Sequence, residues 1–300
     1  MKLLVTGGTG FIGRALIARL QDEHEITVLT RDPERATRQL GGGVTLQRSL
    51  ATLHNLDGFD GVINLAGEPI AEGRWTMAKK RAICDSRWQI TESLVRLCNT
   101  SAKPPSVWIN ASAIGIYGAR DAQPVDESTP VSPMSFAEQV CERWEGIARR
   151  AATQATRQCI LRIGLVLHPD GGALKKMLPA FRFGLGGPIG SGEQMMSWIH
   201  RDDLVALIHH LLTHPECEGV FNGTAPHPVS NRGFSQALGQ ALGRPAVLPM
   251  PAPVLKLLFG EMSELLLTGQ AVLPKAAEAA GFTFQYPQLA SALDQLLSRP

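Results

Sequence analysis

The sequence predicts an α/β protein: a doubly wound parallel sheet that carries a smaller mixed lobe toward its C-terminal end. Two patterns indicate this fold. Short apolar runs alternate with amphipathic stretches as far as residue 168, which is typical of parallel strands joined by helices. After Pro169 the composition changes and glycines cluster between residues 171 and 192, which indicates loops with close backbone approaches.

The apolar runs predict six strands, and the stretches between them predict the connecting helices. Asp32 and Pro33 are suited to cap and start a helix after the second strand. The predicted strands span residues 3–6, 26–30, 44–47, 61–65, 107–111 and 159–167, and the longest predicted helices span 76–99 and 133–153. We therefore expect a larger domain of residues 1–168 and 195–222 and a smaller lobe of residues 169–194 and 223–300.

The most informative segment is the N-terminal MKLLVTGGTGFIG, in which a strand-like run leads through glycines into a helical pattern. In such a strand–turn–helix unit, Gly7 takes the tight turn, Gly10 lets the backbone approach a pyrophosphate and Gly13 lets the helix pack closely on the sheet. Because free amides at the helix start favour phosphate, the segment predicts a Rossmann-type dinucleotide site. An ordinary glycine-rich turn is the alternative. The predicted contacts in this turn are Gly7, Thr9, Gly10, Phe11, Ile12 and Gly13.

The end of the second strand indicates which dinucleotide is bound. An acidic residue there would bind the ribose 2′-hydroxyl of NAD, but the chain reads Thr30, Arg31, Asp32, Pro33, Glu34, Arg35. Guanidinium groups bind phosphate and stack on adenine, so Thr30, Arg31 and Arg35 favour NADP, with its 2′-phosphate. The alternative is that both arginines are solvated at a helix start.

Composition excludes several function classes. The formal net charge of +2 gives no overall attraction to nucleic acid, and no apolar run is long enough to suggest a membrane span. The initial apolar run is too short for a signal peptide, so we expect a cytoplasmic protein. The 5 cysteines are scattered without CxxC spacing, which indicates reduced thiols and predicts no metal site.

Several motifs resemble the extended short-chain dehydrogenase/reductase superfamily. They are TGGTGFIG, NLAG at 64–67, SAIGIYG at 112–118, LRIGLVL at 161–167 and WIHRDDLV at 198–205. RW at 74–75, SRW at 86–88, GGPIGSGEQ at 186–194 and the tail FGEMSELLLTGQAVLPKAAEAAGF resemble, more narrowly, the YfcH-type epimerase family, whose members carry a small C-terminal domain of unassigned role. The resemblance implies that Leu65, Ala66, Gly67 and Arg162 also lie at the cofactor.

The catalytic pair of that superfamily is missing. Its active members place a YxxxK pair on the helix after the serine segment, where the lysine lowers the pKa of the tyrosine for proton exchange. Here Phe136 and Val140 take those positions, and neither tyrosine of the chain, Tyr117 or Tyr286, starts such a pair. Ser112 is the best remaining polar candidate for a catalytic role, although it stands one residue before the usual serine position. A turn hydroxyl is the alternative.

A small polar substrate is expected where ligands gather beyond the carboxyl ends of the strands. His200 and Asp203 resemble a catalytic dyad, but we expect His200 to be a packed residue that caps the helix starting near Asp202. The predicted substrate contacts are Glu68, Arg74, Arg87, Gln194 and Trp198; for the arginines, surface ion pairs are the alternative.

These observations leave three hypotheses for function. The first is an NADP-dependent oxidoreductase or epimerase acting on an unidentified sugar- or nucleotide-linked substrate. The second is a non-catalytic NADP(H)-binding protein that reports redox state or regulates a partner, and the third is an enzyme that uses Ser112 and water. Similar proteins pair through the helices predicted at 76–99 and 133–153, so the resemblance also implies a homodimer.

Overall fold

The computed structural model describes residues 1–120, 122–151 and 153–298 and has the predicted fold class. The strands are β1 Lys2–Thr6, β2 Glu25–Leu29, β3 Thr45–Gln47, β4 Gly61–Asn64, β5 Val107–Ala113, β6 Pro124–Val125, β7 Arg157–Ile163, β8 Leu165–Leu167, β9 Met195–Met196, β10 Trp198–His200, β11 Gly219–Gly223, β12 Val229–Ser230 and β13 Ala271–Val272. The predicted ranges ending at 153 and 300 include residues outside the described ones.

The helices are α1 Phe11–Leu20, α2 Pro33–Leu40, α3 Met77–Asn99, α4 Phe136–Ala148, α5 Gly172–Arg182, α6 Arg201–Thr213, α7 Asn231–Leu242, α8 Ala252–Phe259, α9 Glu264–Leu267, α10 Lys275–Ala279 and α11 Leu289–Leu297. Side chains start several of them. Asp32 accepts a hydrogen bond from the backbone nitrogen of Arg35, and Thr76 does the same for Lys79, which satisfies amides that lack partners within the helix.

The central sheet has 7 parallel strands in the order β11-β7-β5-β4-β1-β2-β3. The order runs outward in both directions from β1 and β4, so the carboxyl ends of these two neighbours form the point at which ligands bind in doubly wound folds. One apolar core lies between the sheet and helices α1 and α6, and a second lies under α3 and α4. These cores fix α1 and α4 against the sheet.

The predicted strand at 159–167 is in fact two strands. The chain leaves the sheet at Gly164, whose backbone nitrogen donates to the Gly223 oxygen, and β8 then pairs with β10. A Cβ on Gly164 would stand 2.7 Å from the Ser197 oxygen, so the crossing requires glycine. The break moves Leu165–Leu167 out of the central sheet toward the C-terminal lobe.

The C-terminal lobe has its own core, in which α5, α7 and α11 surround Trp198. The same segment also returns to the larger domain. Strand β13 pairs with β6, and Ala277 of α10 is buried in the core under α1 and α6. The predicted domain boundaries stay a prediction. None of the helices in the described ranges is long and apolar enough to cross a membrane.

Candidate functional site

The glycine turn forms a cradle with no room for side chains. Gly7 has φ of +67°, and a Cβ there would lie 2.5 Å from the Leu65 oxygen. A Cβ on Gly13 would lie 2.3 Å from the Gly7 oxygen. Gly10 immediately precedes α1 and no side chain caps the helix, so the amides of the first turn, which includes Phe11 and Ile12, remain available to an anion. This geometry fits a pyrophosphate.

The segment after β4 forms the second wall of the cradle. The hydroxyl of Thr6 donates to Asn64 Oδ1 at 2.6 Å and accepts from the Ala66 backbone nitrogen at 3.1 Å. This bond holds Leu65–Ala66 against Gly7. A Cβ on Gly67 would stand 2.9 Å from Arg87 Cζ, so the backbone there lies directly on the guanidinium group. Two of the predicted cofactor residues, Leu65 and Ala66, therefore border the glycine turn, and Gly67 follows them against Arg87.

The end of β2 exposes two cations. The Thr30 hydroxyl and the Asp32 backbone bond to each other, and Asp32 caps α2, which fixes the backbone between Arg31 and Arg35. Both arginine side chains are exposed. Among the described residues, neither guanidinium forms a hydrogen bond or an ion pair, so both remain available to a phosphate group.

Ser112 lies in a buried ion-pair network. Its hydroxyl donates to Glu145 Oε1 at 2.7 Å, and the same oxygen accepts from Arg162 Nε at 2.9 Å. Glu145 Oε2 accepts from Arg162 Nη2 and from Arg149 Nη2. Ser112, Glu145 and Arg162 are all buried. The structure thus places Ser112 and Arg162 against α4 inside the domain, whereas sequence reasoning places them at the substrate and the cofactor.

The network continues to the far edge of the sheet. Arg162 Nη1 donates to the Tyr117 hydroxyl at 2.9 Å, and that hydroxyl donates to Asn222 Oδ1 at 2.9 Å. Burial raises the pKa of Tyr117, so its hydroxyl stays protonated. Burial alone would lower the pKa of Arg162, but the hydrogen bonds and charge of Glu145, together with Tyr117, raise it. The arginine is therefore a permanent cation balanced by one carboxylate.

We expect Ser112→Ala to act on stability. Because the hydroxyl donates to a charged acceptor that keeps its arginine donors, the free energy of unfolding should fall by about 1–2 kcal/mol. NADPH affinity should be unchanged, since Ser112 faces α4. Urea unfolding and cofactor titration measure the two effects, with exposed Ser191→Ala as the control. A large loss of NADPH affinity at full stability would contradict this placement.

The positions of the missing tyrosine and lysine lie in an apolar cluster. Val140 is buried and Phe136 half-buried, and both pack with Trp75 and with Met262 from the C-terminal lobe. The rings of Phe136 and Trp75 meet edge to face at 5.1 Å between centroids. The following residue, Cys141, is buried, and burial raises its pKa to about 11, so its thiol is not nucleophilic at neutral pH.

One ion pair borders this cluster. Lys80 Nζ lies 4.8 Å from the centroid of the Phe136 ring and 2.6 Å from Glu261 Oε2. Lys80 lies in the first turn of α3, while Glu261 follows α8 in the C-terminal lobe. Sequence reasoning missed both residues, because no spacing relates positions 181 residues apart. It also missed Glu145, whose only signal was an acidic residue among buried positions of α4.

The predicted substrate residues make contacts within the chain. Arg74 donates to the carbonyls of Leu257 and Leu258, and so ties the segment after β4 to α8. Arg87 donates to the carbonyls of Glu68 and Ile83 and lies over the Trp144 ring. The Glu68 carboxylate pairs with Lys79 at 2.8 Å.

The other two predicted substrate residues hold the lobe together. The amide nitrogen of Gln194 donates to the carbonyls of Ile189 and Leu266. Trp198 is fully buried, and its indole nitrogen donates to the His227 carbonyl. The tryptophan is therefore a core residue, in contrast to the aromatic substrate wall expected from the sequence, because β10 turns it into the lobe's interior.

His200 caps α6, as predicted. Its Nδ1 accepts from the Asp202 backbone nitrogen at 3.1 Å, and its Nε2 lies 2.9 Å from Gln295 Oε1. Asp203 accepts instead from the backbone nitrogens of Gln285 and Tyr286, so the two residues do not form a dyad. The His200 ring is fully buried, and burial lowers its pKa.

Acidification should destabilise the protein through this cap. Because the pKa of His200 is lowered on folding, its contribution is present above pH 6.5, the value for an unfolded chain, and is lost as pH falls below it. We expect about 1 kcal/mol from this residue between pH 7.5 and pH 5.5. Burial also raises the pKa of Glu127 and Asp203, which opposes this loss at lower pH. Urea unfolding of His200→Asn, which keeps a capping acceptor, should show a smaller pH dependence; an unchanged dependence would refute the assignment.

Residues 3–222 match the model of the NAD dependent epimerase/dehydratase family, and residues 250–296 match a domain of unknown function, DUF1731. Over 99% of its length the chain is 42% identical to the Arabidopsis thaliana "Epimerase family protein SDR39U1 homolog, chloroplastic", covering 87% of that protein. It is 37% identical to human epimerase family protein SDR39U1, covering 99% of this chain and 100% of that one.

Two solved structures are similar to this chain over nearly its whole length. The crystal structure of human epimerase family protein SDR39U1 (isoform 2) with NADPH matches with a TM-score of 0.92 and 36% identity, covering 100% of both chains. The nucleoside-diphosphate sugar epimerase from Corynebacterium glutamicum matches with a TM-score of 0.76 and 29% identity, covering 99% of this chain and 58% of that one. The family and fold expected from the sequence motifs are confirmed, while the cytoplasmic location and the homodimer stay predictions.

Proposed function

Because the chain belongs to the NAD dependent epimerase/dehydratase family, we propose that it binds NADPH at the glycine turn and acts as an NADPH-binding protein without tyrosine–lysine catalysis. The cradle between Gly7, Gly13 and Leu65 supports pyrophosphate binding. The exposed guanidinium groups of Arg31 and Arg35 support a 2′-phosphate at the adenosine end. The NADPH carried by the human relative agrees with this choice.

One observation carries the non-catalytic part of the proposal: Phe136 and Val140 are packed with Met262 where the family's acid and its lysine would stand. Bound NADPH supplies a hydride, and a carbonyl that accepts it also requires a proton at its oxygen. A phenyl ring and an isopropyl group supply none. The polar side chains expected to bind substrate are engaged instead by Lys79 and by backbone carbonyls.

The decisive experiment measures binding and turnover separately. We expect NADPH to titrate to one site per chain and to raise the melting temperature. When the saturated protein is mixed with carbonyl compounds and nucleotide sugars, nicotinamide absorbance should stay constant and product analysis should find no epimer. Tight binding without turnover supports the proposal, and turnover of any compound in the panel overturns its non-catalytic part. Failure to bind NADPH overturns the whole proposal.

A second candidate is an NADP-dependent oxidoreductase or epimerase acting on a small polar substrate, favoured by the ion pair of Lys80 with Glu261 beside Phe136. The Lys80 ammonium group is a proton donor that lies against the Phe136 ring, at the position of the missing tyrosine. If this candidate holds, Lys80→Met should lower turnover by about 100-fold or more with the NADPH affinity retained. Exposed Lys103→Met serves as the matched control. Equal turnover in the two variants would exclude Lys80 as the donor.

A further inference from the structure

Three metal-binding side chains meet at the end of the sheet opposite the glycine turn. Glu23 and His24 follow the last residue of α1, and His209 lies on α6, which packs beside α1 on the same face of the sheet. One potential ligand atom from each residue lies within 4.8 Å of the other two. No sequence motif predicts the cluster, because His209 lies on a helix far from Glu23 and His24 in the chain.

Two imidazole nitrogens of this cluster are buried and unsatisfied. Within the described ranges, Nε2 of His24 and Nε2 of His209 have no hydrogen-bond partner. The Glu23 Oε2 atom is 3.7 Å from His209 Nε2, which is beyond hydrogen-bond distance. His210, the next residue of α6, differs because its Nε2 lies 3.0 Å from the Ala280 oxygen. Two neighbouring buried nitrogens without hydrogen-bond partners point to a missing ligand.

We propose that His24, His209 and Glu23 bind a divalent transition-metal ion, with zinc as the occupant. Two imidazoles and one carboxylate form a donor set that zinc accepts, with a fourth position open to water. Zinc–nitrogen bonds of about 2.0–2.1 Å place tetrahedral ligand atoms about 3.4 Å apart. Side-chain rotations that move each ligand atom by about 1 Å therefore complete the site.

The proposed ion would join α1 to α6. Helix α1 has 10 residues, so its last turn lies about 15 Å from the glycine turn that starts it. The site is therefore separate from the cofactor cradle. An ion there ties the first helix of the sheet to α6 and stabilises the folded chain by mass action.

Two neighbouring cations tune the site. Arg19 Nη1 donates to Glu23 Oε1 at 2.7 Å, and the Met1 amino group lies 3.4 Å from His24 Nδ1. Zinc on Glu23 Oε2 leaves the Arg19 bond in place, while zinc on His24 Nε2 puts a proton on Nδ1, which then no longer accepts a hydrogen bond from the Met1 amino group. Because the guanidinium repels the metal and draws on the same carboxylate, Arg19→Ala should bind zinc about twofold more tightly.

The test is a calorimetric titration of zinc chloride into the untagged full chain after chelator treatment. We expect one ion per chain, with affinity lowered by about tenfold or more in His24→Ala and in His209→Ala. His214→Ala, directly after the same helix, is the control and should bind as the parent does. Circular dichroism melts confirm that each variant is folded, and zinc should raise the melting temperature of the parent and not of His209→Ala. Binding weaker than about 100 µM, or binding unchanged in both histidine variants, overturns the proposal.

Discussion

Replacing Glu145 with alanine is expected to lower the free energy of unfolding by about 3–5 kcal/mol. The carboxylate is fully buried and accepts hydrogen bonds from Ser112, Arg149 and Arg162. Its removal leaves the buried Arg162 cation without a counter-charge at the join of β5, β7 and α4. Desolvation of an unpaired guanidinium costs far more than the lost contacts.

Urea unfolding with a constant m-value measures this loss. Glu142→Ala is the matched control, because Glu142 lies on the same helix and is exposed, and it should change stability by no more than about 0.5 kcal/mol. Arg162→Met in the Glu145→Ala background should recover part of the loss, since an apolar side chain at position 162 needs no counter-charge. Equal stability of Glu145→Ala and the control would show that the network does not hold the fold.

Replacing Arg31 and Arg35 with alanine is expected to weaken NADPH binding by about 10–100-fold for each residue. Charge-assisted hydrogen bonds to a phosphate supply that energy, and both guanidinium groups are exposed at the end of β2 with the intervening backbone fixed by Asp32. NADH lacks the 2′-phosphate, so its affinity should be unchanged. The preference for NADPH should therefore disappear in the double variant.

Parallel titrations with NADPH and NADH measure this preference. Arg38→Ala removes an exposed cation from the next turn of the same helix and is the matched control. Chain stability should stay within about 0.5 kcal/mol, because neither side chain has a partner among the described residues. An equal loss for both nucleotides, or no loss for either, would refute the assignment of the 2′-phosphate to these arginines.

Local patterns gave much of the fold and the cofactor cradle. The helix predicted at 76–99 is Met77–Asn99, because Thr76 supplies a cap that is readable in the sequence. His200 was predicted to cap α6 for the same reason, since capping depends on neighbours along the chain. The prediction of one continuous strand at 159–167 was wrong, because periodicity does not reveal that Gly164 lies against the Ser197 backbone.

The sequence by itself determined the doubly wound sheet, the cradle at Gly7 and Gly13 and the absence of the tyrosine–lysine pair, because strand period, glycine spacing and residue identity are local properties. Only the tertiary structure decided which polar groups meet. It joined Ser112 and Arg162 to Glu145, closed the space at Phe136 with Met262 from the C-terminal lobe, and brought His24 to His209. These contacts join residues far apart in the chain, and burial and charge balance, which settle their chemistry, arise only when the chain is packed.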